Sequence, residues 1–308
     1  MVKKRGFFHL NVKKWSLFAL IGIFLFATAL PQTVSADAVA GDSVVTLGAD
    51  LTQEQRQSIL QEMKADSGVE TIDVSIDDIR KYLQGGTGGS GNSGGGDNNA
   101  YSSAKITLAE KGTGIRVKAN NVTRVSEQMY ANALLTAGVT DAEVYVTSPK
   151  PVTGTAALTG IMMAFEKVSN TEISQEQREV ANEEMNRTSE LGEKIGDKDK
   201  AAQFMTEVKE NIADKKPQSK EEVRDIVVNV AGDLNINLNN QDITNITNVM
   251  YNFSQLDIDW KSFGDQLDKL KGQLEGLVNS EEAQGWFDQF TAWLSDLFSS
   301  LADSFSSK

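Results

Sequence analysis

The stretch Val44-Val45-Thr46-Leu47-Gly48-Ala49-Asp50-Leu51-Thr52-Gln53-Glu54-Gln55 decides the fold class. Val44 to Leu47 is a β-branched, apolar run of strand length, and Gly48 closes it. Thr52 follows with Gln55 three residues on, the reciprocal cap that opens a helix, and Ile59, Leu60 and Met63 supply that helix with an apolar face. A strand, a short turn and a capped amphipathic helix are the units of a mixed domain. The pattern then repeats. Thr71–Val74 reads as a strand, and Ile76, Ile79 and Leu83 mark a short helix. Lys105–Leu108 and Ile115–Val117 flank Lys111-Gly112-Thr113-Gly114, which predicts a hairpin. Val122, Val125, Met129 and Leu134 mark a helix that stops at Gly138, and Glu143–Val146 is a further strand. Pro149 and Pro151 end that strand before a helix carrying Leu158, Ile161, Met162, Phe165 and Val168. Residues 37–171 therefore predict an α/β or α+β domain built on a small mixed sheet of at least four strands.

Beyond this domain the periodicity changes. Residues 172–278 predict a mostly α-helical region, with apolar stripes at Phe204, Val208 and Ile212, at Val223, Ile226, Val227 and Val230, and at Ile243, Ile246, Val249, Met250 and Phe253. Residues 279–308 predict an amphipathic C-terminal helix rich in aromatics, with Trp286, Phe290 and Trp293 on one side and Asp288, Asp296 and Asp303 on the other. Acid on the polar side favours packing on the chain's own helices, or on a partner, over a lipid surface. Residues 85–99 are glycine, serine and asparagine with nothing to bury, a flexible loop. The start at Thr52 is echoed by Ile173-Ser174-Gln175-Glu176-Gln177 and, more faintly, by Leu238-Asn239 with Asp242. These echoes are repeated helix-start chemistry, not a duplicated site.

The first 36 residues carry an address. Lys3, Lys4, Arg5, Lys13 and Lys14 precede the apolar run Leu17–Leu30, and Val34-Ser35-Ala36 places short residues before Asp37. This is the three-part pattern of a secretory signal peptide cleaved between Ala36 and Asp37; a cut after Ala38 and an uncleaved anchor are the alternatives. Cleavage removes five positive charges and no acid, moving the formal charge from −13 to −18. An acidic exported chain is repelled by nucleic acid, and membrane contact is expected only through an uncleaved signal segment. There is no cysteine, and the single histidine, His9, falls within the signal. Thiol and imidazole nucleophiles, histidine metal clusters and cysteine zinc sites are thereby excluded from the cleaved chain, and neither metal nor cofactor is expected.

Other chemistry is weighed residue by residue. Forty-three acids make a glycosidase-type carboxylate pair easy to propose and impossible to place from sequence. Ser102-Ser103-Ala104-Lys105 fits a Ser-x-x-Lys pattern but lacks its strand-edge Lys-Thr-Gly partner. Asp233-x-Asn235-x-Asn237-x-Asn239 imitates a calcium loop, yet Leu238 and Thr244 occupy the glycine and glutamate positions. Leu234, Ile236 and Leu238 read instead as a short extended segment ahead of a helix capped by Asn239. The most informative loop is Thr147–Thr155, where a strand ends, two prolines stiffen the chain and a helix begins near Gly154. Backbone amides at such a start bind anions, with Ser148, Lys150, Thr153, Gly154 and Thr155 as the candidate ligands. The competing reading is a rigid connection in which Thr153 caps the helix.

Val45-Thr46-Leu47-Gly48-Ala49-Asp50-Leu51-Thr52 resembles the mature start of the YpuA-like secreted proteins of Gram-positive bacteria, a family of unknown function. Asn132–Val139 with Asp141-Ala142, Pro151–Gly160, and the helical stretch from Asn237 to Asp259 resemble it too. The resemblance spans most of the chain and departs mainly at residues 85–99 and at the aromatic C-terminal segment. It implies export and a shared fold, and brings no catalytic residues. Together these readings predict an exported, non-catalytic extracellular or cell-envelope protein, a binding module for an envelope protein or a small anionic ligand. The alternative is a carboxylate-dependent hydrolase acting on cell-wall glycan.

Overall fold

The computed structural model describes residues 38–84 and 99–278. The expected signal peptide with its Ala36–Asp37 cut, nearly all of the glycine tract and the aromatic C-terminal helix lie outside the described residues. Strands β1 (Ser43–Gly48), β2 (Glu70–Val74), β3 (Ser103–Leu108), β4 (Ile115–Ala119) and β5 (Ala142–Thr147) form one mixed sheet in the order β2-β1-β3-β5-β4. The helices among them are α1 (Gln53–Glu62), α2 (Ile76–Gln84), α3 (Glu127–Thr136) and α4 (Thr155–Ser169). Then come α5 (Gln175–Ile195), α6 (Lys198–Lys215), α7 (Lys220–Asp233), α8 (Asn240–Ser254) and α9 (Trp260–Val278). A mixed sheet in the first half followed by a mostly helical second half is the architecture that the periodicities predict.

The hairpin expected between Lys105–Leu108 and Ile115–Val117 is not formed. β5 lies between the two strands, antiparallel to β3 and parallel to β4. The connection from Ala109 to Gly114 is long enough to span two strand spacings, about 10 Å. Gly112 and Gly114 both hold positive φ, 93° and 87°, and bend it around the start of β5. Ala109 N–H donates to the carbonyl of Asp141, and Ala142 N–H to that of Gly114, which ties the loop to the inserted strand. Helix α3 makes the crossover that a parallel β4–β5 pair requires.

Three helix starts carry the reciprocal cap that the sequence announces, at Thr52 with Gln55, Ser174 with Gln177 and Asn239 with Asp242. Two local expectations are corrected. Thr153 does not cap α4; the cap is Gly154, at φ 95°, with no side-chain hydrogen bond. Leu234 and Asn235 close α7 instead of opening an extended segment: Ile236 N–H reaches back to the carbonyl of Ala231, and Asn235 takes φ 52°.

One face of the sheet carries the core. Val44, Ala104, Ile106, Val117, Val144 and Val146 are buried in a single apolar cluster with Leu134, Leu158, Phe204, Met250, Phe253 and Leu267. The helical half therefore shares its core with the sheet. The opposite face is apolar only on β1, where Val45 and Leu47 meet Leu51, Ile59 and Met63 around α1. Among the described residues no helix is long and apolar enough to cross a membrane.

Candidate functional site

Side chains alternate along a strand, so strands with one apolar face present their other residues together on the far side. On β3, β5 and β4 that far side is polar. The register sets Thr107, Glu143 and Arg116 abreast, then Lys105, Tyr145 and Lys118, then Ser103 and Thr147. α1 lies across this face, and its last turn reaches β5.

At the end of α1 the Glu62 carboxylate gathers three donors on Oε1: Asn120 Nδ2 at 2.9 Å, the Tyr145 hydroxyl at 2.8 Å and the Thr147 hydroxyl at 2.8 Å. Partial burial works to raise the acid, but the hydrogen bonds from Asn120, Tyr145 and Thr147 outweigh it and hold Glu62 below the ordinary carboxylate range. Burial, together with the same contact, pushes the Tyr145 phenol up. Lys105 Nζ lies 3.4 Å from the carbonyl oxygens of both Met63 and Lys64, just past α1, and burial depresses its ammonium against the pull of Asp66.

One row further along, the logic reverses. Glu143 is 3% exposed, and Arg116 approaches its Oε1 at 3.5 Å. Its Oε2 has no hydrogen-bond partner among the described residues. Burial pushes this carboxyl up to about 7, against the opposing pull of Arg116. Two carboxyls on one sheet face are thus driven in opposite directions, one by hydrogen bonding and one by desolvation. Lys118 pairs with Glu127 at 3.3 Å, and Glu127 also accepts from Ala119 N–H at 3.1 Å, which blocks part of the edge of β4.

The loop singled out by sequence continues from the end of this face. Ser148 is buried, its hydroxyl without a hydrogen-bond partner among the described residues, and its carbonyl accepts from Asn121 Nδ2 at 2.8 Å. Lys150 is exposed and holds its ammonium 3.8 Å above the ring of Tyr101. Thr153 and Thr155 place their hydroxyls 3.4 Å apart, and the Thr153 carbonyl accepts from the amides of Arg124 and Val125. The Gly154 carbonyl accepts from the buried hydroxyl of Tyr130 at 2.5 Å. The loop is thereby sewn to the segment after β4, where Val122 and Val152 also pair. Its five candidate residues lie along one connection, with Ser148 and Gly154 inside and Lys150 outside.

Sequence reading passed over Glu62, Arg116 and Glu143. The usable signal was the alternation itself: Lys105-x-Thr107, Arg116-x-Lys118 and Glu143-x-Tyr145-x-Thr147 leave one polar side on each of three strands. Among the described residues no group of three or more His, Cys, Asp or Glu side chains is placed to hold a metal ion.

The family model described as a protein of unknown function (DUF1002) matches residues 47–270. The uncharacterized protein YpuA of Bacillus subtilis (strain 168) is 36% identical over 293 residues, covering 92% of this chain and 98% of that protein. No solved structure matches.

Proposed function

The chain belongs to the DUF1002 family of YpuA-like proteins of unknown function, and from that premise we propose that it is an exported, non-catalytic binding protein that takes a small anionic ligand on the polar face of its sheet. Export rests on the basic, apolar and short-residue sequence of the first 36 positions and on a compact body that begins at Ala38. Binding rests on one observation above all. Arg116 is partly exposed on a strand, and among the described residues its ion-pair partner is Glu143, which is buried and holds it through a single long contact. A guanidinium in that position is available to a carboxylate or an oxyanion.

Two measurements test the reading. Protein recovered from the culture medium should begin at Asp37; Met1 on membrane-bound material overturns cleavage and leaves an uncleaved anchor. A calorimetric screen of small anions against the intact chain should give binding that Arg116→Gln abolishes. If in-cell crosslinking captures an envelope protein while no anion binds, the partner is a protein and not a small ligand.

The opposed carboxyls of Glu62 and Glu143 favour a second reading, a carboxylate-dependent hydrolase of cell-wall glycan. An ionised acid on the same sheet face as one whose carboxyl lies near 7 is the kind of division of labour that such chemistry needs. Zymography decides between the two. A clearing band that disappears with Glu143→Gln establishes the hydrolase, and its absence supports binding alone.

A further inference from the structure

Resting on the reading of the polar face as an anion site, we propose that binding of an anion at Arg116 is coupled to the uptake of one proton by Glu143. The two side chains face each other across β4 and β5, but they differ in reach. The Arg116 side chain is 32% exposed and the Glu143 side chain 2%. An incoming anion therefore meets the guanidinium and not the carboxylate. At 3.5 Å the contact between them sits at the outer limit of a hydrogen bond, and it leaves Glu143 Oε2 with no partner among the described residues. A pair this loose yields its cation easily.

The groups around Glu143 come from several elements. From β3 come Lys105 and the neutral Thr107, from β4 Arg116 and Lys118, and from its own strand Tyr145. Asp141, two residues back, is held by Gln266 Nε2 at 2.9 Å and by the Gly114 amide at 2.8 Å. Glu62, Lys64 and Asp66 belong to the end of α1 and the turn beyond it. Lys118 is paired with Glu127, and Lys105 donates to the carbonyls of Met63 and Lys64. Arg116 touches Glu143 directly. When an anion occupies Arg116, the buried carboxylate loses its compensation, and a proton restores neutrality. The balance is simple: Glu143 carboxylate, a proton and the free anion become Glu143 carboxylic acid and an anion on Arg116, with no other bond made or broken. The position of the Glu143 carboxyl, about 7, allows this exchange near neutrality.

Sulfate is the probe, because its charge does not change over the range required. Calorimetric titration of the intact chain should show affinity falling by roughly thirtyfold from pH 5.5 to 8.5, the ratio of the protonated populations of a group titrating near 7. Glu143→Gln, which copies the protonated acid, should bind at pH 8.5 as the unaltered protein does at pH 5.5. Arg116→Gln should not bind at either pH. Titration of the unaltered chain in two buffers of different ionisation enthalpy counts protons directly, and uptake approaching one per sulfate is expected at pH 8.5. Sulfate binding that depends on Arg116 but takes up no proton overturns the coupling and leaves the anion site standing. Binding unaffected by Arg116→Gln, or no binding at pH 5.5, removes both.

Discussion

Lys209 places its Nζ 2.8 Å from Oε1 of Glu184, and neither side chain reaches solvent. The ammonium also donates to the Asn132 carbonyl at 2.9 Å and to the Thr136 hydroxyl at 3.2 Å, while that hydroxyl donates to Glu184 Oε2 at 2.5 Å. Asn132 Nδ2 in turn bonds the Ala202 carbonyl and the Thr206 hydroxyl. α3, α5 and α6 therefore meet around a polar knot inside an apolar core that includes Phe253 and Phe263. Burial depresses the lysine, and Glu184 opposes that shift.

Breaking the knot on one side strands a buried charge. Lys209→Ala or Glu184→Ala should each cost about 3–5 kcal/mol in urea unfolding. The double change Lys209→Met with Glu184→Leu should cost far less than the sum, because it removes both charges and keeps apolar volume. Additive losses show that the two residues act independently.

Glu143 should give the protein a pH-dependent stability of definite sign. Its folded value, about 7, lies above the ordinary 4.5, so the protonated acid favours the folded state. That contribution is fully present below about pH 4.5 and is lost as pH rises through about 7, an effect of roughly 3–4 kcal/mol. Glu62 and Asp141, both lowered, act in the opposite sense and lose their contribution as pH falls through the acidic range. Urea midpoints should therefore fall between pH 5 and pH 8, and Glu143→Gln should flatten that change.

Gly154 should tolerate no side chain. It holds φ 95°, and an added Cβ would run into Val122 and come within 2.6 Å of the Tyr130 hydroxyl. Gly196, at φ 72°, ends α5 with open space around it. Gly196→Ala should cost about 1 kcal/mol from backbone strain alone, and Gly154→Ala at least twice that. Thermal unfolding of the two variants side by side checks the order.

Ser174→Ala should remove the reciprocal cap of α5 and cost about 1 kcal/mol. Ser174→Asp should restore most of the loss, since a carboxylate also accepts from the first-turn amides. No recovery with aspartate means that the serine matters for packing and not for capping.

Much of the fold was legible because its signals are local. A cap such as Thr52 with Gln55 is satisfied within one turn, and the apolar spacing of Leu158, Ile161 and Phe165 specifies a buried helix face without reference to neighbours. The loop from Ser148 to Thr155 was legible as a stiff connection, since proline fixes the chain wherever it sits. The polar face was half legible. Alternation shows that Glu143, Tyr145 and Thr147 share a side, but the strand lying next to them is a matter of register.

Residue order alone settles the class of fold, the capped helix starts at Thr52, Ser174 and Asn239, and the absence of thiol chemistry. It does not settle that β5 enters between β3 and β4, that Arg116 therefore faces Glu143, or that Lys209 and Glu184 meet inside the core; those belong to the folded chain. The difference is one of range. Capping and periodicity are settled by hydrogen bonds and burial within a few residues, so they are written along the chain. Strand order and the pairing of buried charges arise between segments separated by 27 and 25 positions, where the closing of the chain selects the neighbours, and burial drives the Glu143 carboxyl up.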